Sequence, residues 1–418
     1  MLKKLTAGFS NLTSDSLPPQ HHSPRREQAY AVLAQKLAEA NVSVSDSDCV
    51  SCNLPCPDAG ASGAGTVVEV YGGKIYGDYV AEKYGDIEGL PTGFDTDWTS
   101  ELAGSADGGQ GRVVVLSTGK SDWERDHTHE KKSLAHYLNE VIEAAPTVQG
   151  PTSSRPLPFI SPSAFPPPSE PLVHPIAPPP ALYSSSLITQ SNDSSDQTVL
   201  VFPDWKVVHE VENSPKGAQG LYDAVLDGHL GRAGKYGVGE GVKRKRSWAM
   251  PYRAVVLLCK SFLYSSHKRR DKRCHIAAPL LRAAFHSCLA AHDISIDETG
   301  SSLINLSGDA LEELDGTEQE REREMGRRIR EIEGINGGEG GEVGIFNINH
   351  IGGHRYAGVM LILFPSGAYL SYGRVTPQEI PRVVEDTILQ GKIVPGLLRN
   401  AVGVFHSHNA DGKGFLSW

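Results

Sequence analysis

Between residues 146 and 180 the chain carries thirteen of its 27 prolines, and a Ser-rich run follows to about residue 197. Proline fixes φ and lacks an amide donor, so neither a helix nor a central strand can run through such a segment. The stretch also offers too little apolar surface to offset its ordering entropy. Residues 146–197 are therefore expected to be a disordered insertion, and the packed structure must come from sequence on both sides of it. With 418 residues the chain has room for two globular domains around such a spacer.

Ahead of the prolines, residues 1–44 are polar, and the pattern predicts a flexible segment with one helix over 26–40. A first α/β domain is expected over 45–253, with a strand at 112–116, a helix at 134–144 and a further strand at 198–202. A second region, 254–405, gives strand 254–259, helix 277–292, strands 343–349, 357–363 and 368–373, and a helix over 377–390. Thr376 suits the N-cap of that last helix and Pro377 its first turn. A strand–helix unit, an antiparallel ribbon and a closing helix are the layout of a thioredoxin-like domain. The fold class expected is thus α/β, with a thioredoxin-like C-terminal domain and an N-terminal α/β domain that is a candidate for the same fold. Residues 305–342 are nearly all charge, then Gly-rich, and predict a solvated helical insertion. Residues 406–418 are expected to be a tail.

A formal net charge of -10 gives no reason to expect nucleic acid or an anionic membrane as partner. No apolar run approaches the roughly 20 residues of a membrane span, so no membrane partner is expected. Met1-Leu2-Lys3-Lys4-Leu5 has no long apolar core and argues against secretion; a mitochondrial presequence is the alternative to a cytoplasmic protein. Six cysteines are too sparse for a disulfide framework and point instead to metal or redox chemistry.

Two cysteines and two histidines carry the strongest chemical signal. Cys259 ends the run Ala254-Val255-Val256-Leu257-Leu258, and Cys274 follows the basic stretch His267-Lys268-Arg269-Arg270-Asp271-Lys272-Arg273. Cations around Cys274 would lower its thiol pKa. His350 and His354 bracket Ile351-Gly352-Gly353. Each glycine costs about 1 kcal/mol in a helix interior, so a Gly-rich loop is expected there. Two soft thiolates and two imidazoles at strand ends are a metal donor set. Taken alone, the histidines fit a solvated turn equally well, and Cys259 fits a buried core thiol.

Ser266 to Cys274, together with His350-Ile351-Gly352-Gly353-His354-Arg355-Tyr356-Ala357-Gly358, resembles the fungal sucrase/ferredoxin-like family. The likeness continues into the first domain through Cys49-Val50-Ser51-Cys52-Asn53-Leu54-Pro55-Cys56-Pro57 and Ser117-Thr118-Gly119-Lys120-Ser121-Asp122-Trp123. It implies a thioredoxin-like ferredoxin with a [2Fe–2S] cluster held by Cys259, Cys274, His350 and His354. It further implies electron transfer with a reductase and an acceptor that the sequence does not identify. Arg273 and Arg355 are candidates to stabilise cluster charge or to dock the reductase. One departure stands out: Lys260-Ser261-Phe262-Leu263-Tyr264-Ser265 lengthens the loop after Cys259, and deleting it restores the family's spacing. It is either a loop insertion or a retained intron; if it displaces Cys259, His267 or His275 becomes the substitute ligand.

Other motifs carry less. Cys49, Cys52 and Cys56 have spacing suited to thiol redox work or metal, which keeps a thiol–disulfide oxidoreductase open, as zinc at the four main residues keeps open an interaction protein. Gly119-Lys120-Ser121 lacks the upstream glycine of a phosphate loop, since Val114 stands there. Asp126 to Glu130 offer metal donors but are expected to be a solvated loop or helix start; Lys243 to Arg246 resemble a nuclear signal but are expected to be solvated, and His406-Ser407-His408 to be tail. Leu416-Ser417-Trp418 is similar to the tail by which clients meet the cytosolic iron–sulfur targeting complex, the carboxylate and the indole making a compact handle.

Overall fold

The computed structural model describes residues 24–45, 82, 101–106, 111–123, 126–145, 160–161, 179–228, 230–235, 246–260, 273–404 and 414–416. Helix α1 (Pro24–Glu39) precedes β1 (Val113–Ser117), α2 (Leu134–Ala144), β2 (Ile160–Ser161), β3 (Ala181–Ser185), β4 (Gln197–Phe202) and β5 (Lys206–Val211). Helix α3 (Pro215–Leu221) then widens into a π turn (Tyr222–Leu226) before β6 (Arg246–Ala249). The remainder is β7 (Ala254–Cys259), α4 (Arg273–Ala290), β8 (Ser295–Asp297), α5 (Glu318–Arg330), β9 (Glu342–Ile348), β10 (Met360–Leu363) and β11 (Tyr369–Tyr372). A short helix α6 (Ile380–Arg382) with a π turn (Val383–Ile388) and strand β12 (Leu398–Val402) complete the order.

All twelve described strands form one mixed sheet in the order β2-β12-β11-β10-β7-β9-β3-β1-β4-β5-β6, with β8 on β9. The sheet contains the same unit twice. In the C-terminal half β7 pairs parallel with β9 and antiparallel with β10, which pairs antiparallel with β11. In the N-terminal half β1 pairs parallel with β3 and antiparallel with β4, which pairs antiparallel with β5. Each half has a helix after its first strand and another after its fourth. Val255, Val256, Leu257 and Leu258 of β7 are all buried because cores lie on both faces of the sheet, which is why this strand is a continuous aliphatic run.

The halves meet antiparallel at β3 and β9, where Ser185 faces Ile348. Four hydrogen bonds close this seam with local twofold symmetry. The Asn349 amide donates to Ser184 O (3.0 Å) and the Ser186 amide to Asn347 O (2.9 Å). The Ser184 amide donates to Asn349 Oδ1 (2.8 Å), as the Asn347 amide does to Ser186 Oγ (3.0 Å). Cys259 faces Ile348 and Ser117 faces Ser185, so Cys259, Ile348, Ser185 and Ser117 stand in one row across four strands. The C-terminal ends of the first and second strands of both halves therefore converge at the middle of the molecule.

Several expectations are corrected. The described part of the N-terminal segment, residues 24–45, is packed: Leu33, Leu37 and Val42 of the first helix and its exit lie in the C-terminal half's core. Burying such a leucine contributes about 1.5–3 kcal/mol, enough to hold a polar helix. The insertion expected over 146–197 ends by about residue 180, because β3 is the second strand of the first unit. Even inside it, β2 pairs with Ala401 and Val402. The charged stretch 305–342 is structural, with Met325 and Ile329 of α5 in the core under a Thr317–Glu320 capping box. Residues 414–416 are not loose tail, since Phe415 and Leu416 are buried. The two units expected on either side of residue 254 share one sheet, and the 101–105 segment assigned to the first half bonds to Arg399 of the second. None of the described helices is long and apolar enough to cross a membrane.

Candidate metal centre

Strand β7, helix α4 and the loop after β9 carry the described candidate donors Cys259, Cys274 and His350. β7 delivers Cys259 at its last position, and the Cys259 amide is held by Val359 O (3.0 Å). Helix α4 begins four residues earlier than the sequence suggested, so Cys274 lies in its first turn and not in the preceding loop. The helix extends across Cys274-His275-Ile276 because these side chains are compatible with helix and two of them find burial; Pro279 removes one internal hydrogen bond without ending it. Cys259 and Cys274 are both buried and share one apolar cluster with Leu102, Tyr356 and Val359. A helix N-terminus favours a thiolate.

The loop after β9 is the Gly-rich turn expected. Gly352 and Gly353 both have φ near +80°, and a Cβ on Gly353 would lie 2.5 Å from the Arg399 guanidinium. His350 is half-buried and its Nδ1 lies 3.8 Å from Cys259 Sγ, while its Nε2 accepts from the Gly352 amide (3.1 Å). His354 opens a 3-10 turn, His354–Tyr356. Its side chain lies outside the described residues, as do residues 261–272 with His267 and most of the six-residue departure, and Cys49, Cys52 and Cys56. His275 sits beside Cys274 in the first turn of α4.

Two sulfur and nitrogen ligands on one tetrahedral metal are separated by about 3.6 Å at ordinary bond lengths of about 2.3 and 2.1 Å. The Cys259–His350 separation is therefore close to that of two donors on one metal atom. Among the described residues no three His, Cys, Asp or Glu side chains are grouped to hold a single metal ion. A binuclear cluster does not need three, because each iron takes only two protein ligands. The donors present fit such a group.

The surroundings are cationic and aromatic. Arg399 of β12 is 2% exposed; it donates to Gly352 O (3.4 Å), Ser105 Oγ (3.2 Å) and Ser105 O (3.0 Å). Burial lowers the pKa of its guanidinium, whereas the Tyr369 phenol and the two thiols support its charge. Arg355, Arg374 and Arg399 stand 4.8, 5.0 and 5.7 Å from the centre of the Tyr356 ring. On β3 of the other half, burial and the Cys259 thiol push the Tyr183 phenol up to about 12. Cys288, further along α4, is a core thiol pushed up to about 12 by burial, and is inert by comparison.

A family model for sucrase/ferredoxin-like proteins matches residues 102–400. The chain belongs to the sucrase/ferredoxin-like family. Among curated proteins it is 34% identical over 148 residues to Altered inheritance of mitochondria protein 32 of Clavispora lusitaniae, covering 35% of each chain. It is 29% identical over 138 residues to Actin patches distal protein 1 of Saccharomyces cerevisiae, covering 33% of this chain and 30% of that one. The chain thus spans about a third of the length of these curated relatives. No solved structure matches it.

Arg399, Tyr356, Tyr183 and Asn349 were not singled out by sequence. Arg399-Asn400 within Leu398 to Val402 is a polar pair in a strand buried on both faces, and that anomaly was the available signal. Elsewhere, His127 of the Asp126–Glu130 cluster is buried and not solvated, bonding Ser184 Oγ (2.9 Å) and Leu182 O (3.1 Å).

Proposed function

We propose that this sucrase/ferredoxin-like chain is an electron carrier whose [2Fe–2S] cluster is held by Cys259, Cys274, His350 and His354. The observation carrying this reading is the 3.8 Å approach of Cys259 Sγ to His350 Nδ1, with Cys274 in the same buried cluster as Cys259. The strand order and orientations repeated in the two halves support reading each as thioredoxin-like. When bound, the cluster supplies reversible one-electron transfer, and two imidazoles in place of thiolates raise its potential above that of an all-cysteine cluster.

The chain's own groups set the conditions. Leu102, Tyr356 and Val359 exclude water from the thiols. Arg399 holds the histidine loop through Gly352 O, and Asn349 ties the start of that loop to β3. Arg355 is exposed, and with Arg273 it suits docking of a reductase or acceptor. A targeting complex that reads Leu416-Ser417-Trp418 would meet Leu416 already packed in the core, leaving recognition to the two residues beyond it. The compartment is proposed to be cytoplasmic, with the mitochondrion as the alternative.

The test is anaerobic purification followed by visible absorption with iron and sulfide analysis. The expected result is brown protein with about two irons and two sulfides per chain. Colourless protein containing zinc would establish the interaction-protein reading, and metal-free protein with thiol–disulfide activity the oxidoreductase.

A further inference from the structure

We infer that Arg399 is the buried counter-cation of the metal centre, and that its charge favours the cluster's reduced state. The inference rests on the cluster reading above and adds a residue to it. Arg399 is almost wholly buried, yet every hydrogen-bond acceptor it uses is neutral: the carbonyls of Gly352 and Ser105 and the Ser105 hydroxyl. Among the described residues it forms no ion pair with a carboxylate. A buried guanidinium without a counter-charge is costly, so such groups persist where something negative offsets them.

The guanidinium hydrogen-bonds Gly352 O in the loop that follows His350 and lies 5.7 Å from the Tyr356 ring, which packs in one cluster with both proposed sulfur ligands. A cluster with two thiolates and two neutral imidazoles gains one negative charge on reduction. A fixed cation beside it, away from water, stabilises that added charge far more than an exposed one can. Arg355, exposed on the Tyr356 ring, is solvent-screened, which distinguishes its role from that of Arg399.

Wild type, Arg399→Lys and Arg399→Met would be purified anaerobically as the full chain. Each would be analysed for iron, sulfide and thermal midpoint, then titrated with dithionite and redox dyes while the visible spectrum is followed. The Met variant is expected to be at least about tenfold harder to reduce, a fall of about 59 mV for one electron. The Lys variant keeps the charge while losing the guanidinium fork, and is expected to stay within about threefold of wild type. An unchanged potential in the Met variant, or a Lys variant that falls as far as Met, would overturn the inference and leave Arg399 a purely structural anchor. If the Met variant does not retain a cluster, the Lys variant decides alone: near-wild-type supports the inference and a tenfold fall refutes it. Iron-free wild-type protein would instead overturn the cluster reading, and that result is obtained before any variant is compared.

Discussion

The two halves of the sheet use one strand plan for different ends. At the row where their strand ends converge, the C-terminal half has Cys259 where the N-terminal half has Ser117. Two residues beyond the second strand's matching position stand His350 and Leu187 respectively, and six beyond it His354 and Ser191. Leu187 is fully buried, and the Ser117 hydroxyl accepts from the Thr198 amide at 2.8 Å. The scaffold thus builds two equivalent corners, of which one is furnished with soft donors and the other with packing and hydrogen bonds. The N-terminal half supports the site from outside, through Asn349's bonds to Ser184. Strand order alone therefore does not set what a corner can bind; the side chains at a few strand ends do.

The largest expected effect separates the two corners. Cys274→Ala or His350→Ala should abolish bound iron and visible colour, while Ser117→Ala at the opposite corner should leave iron per chain at wild-type level. Equal iron loss in the Ser117 variant would remove the distinction between the halves.

A smaller effect tests the seam. Asn349→Ala and Ser186→Ala each remove one of two symmetry-related acceptors, leaving a buried amide unsatisfied at a cost of about 1–3 kcal/mol. Urea unfolding should record comparable losses for both. Iron retention should fall only for Asn349→Ala, because only that side precedes the loop of the proposed ligand His350.

The smallest effect is in acid. His127 and His209, both in the N-terminal half, have pKa values lowered chiefly by burial. The unfolded chain takes up these protons below its ordinary histidine pKa near 6.5, while the folded chain resists them. Their contribution is present above pH 6.5 and is lost as pH falls below it toward the folded values. Hydrogen exchange between pH 7 and pH 5 should show the N-terminal half losing protection, and His209→Gln should reduce the change.

What sequence could show of this molecule followed the reach of local patterns. Strand 254–259 was legible to the residue because six apolar side chains admit no amphipathic alternative. Helix 134–144 was legible from its 3.6-residue stripe, and its Ser133 cap is formed. By contrast Ala181-Leu182-Tyr183-Ser184-Ser185 has weak strand character and follows prolines. It is a strand because β1 and β9 flank it, a pairing between residues 68 apart that no window contains. Helix α5 looked like solvated charge because its buried stripe is narrow, with Arg321 itself inside it. At the candidate site, residue type and spacing pointed to Cys259 and His350, whose Sγ and Nδ1 lie 3.8 Å apart. Arg399 and Asn349 were not legible, since their roles depend on which strand lies beside which.

The most direct test of a Cys/His-held cluster is pulsed electron paramagnetic resonance of the dithionite-reduced full chain, with imidazole nitrogens isotopically labelled. Bound through His350 and His354, the reduced centre should show strong couplings to two histidine nitrogens. A reduced iron–sulfur signal with no strongly coupled nitrogen would contradict the ligand set on which the account depends.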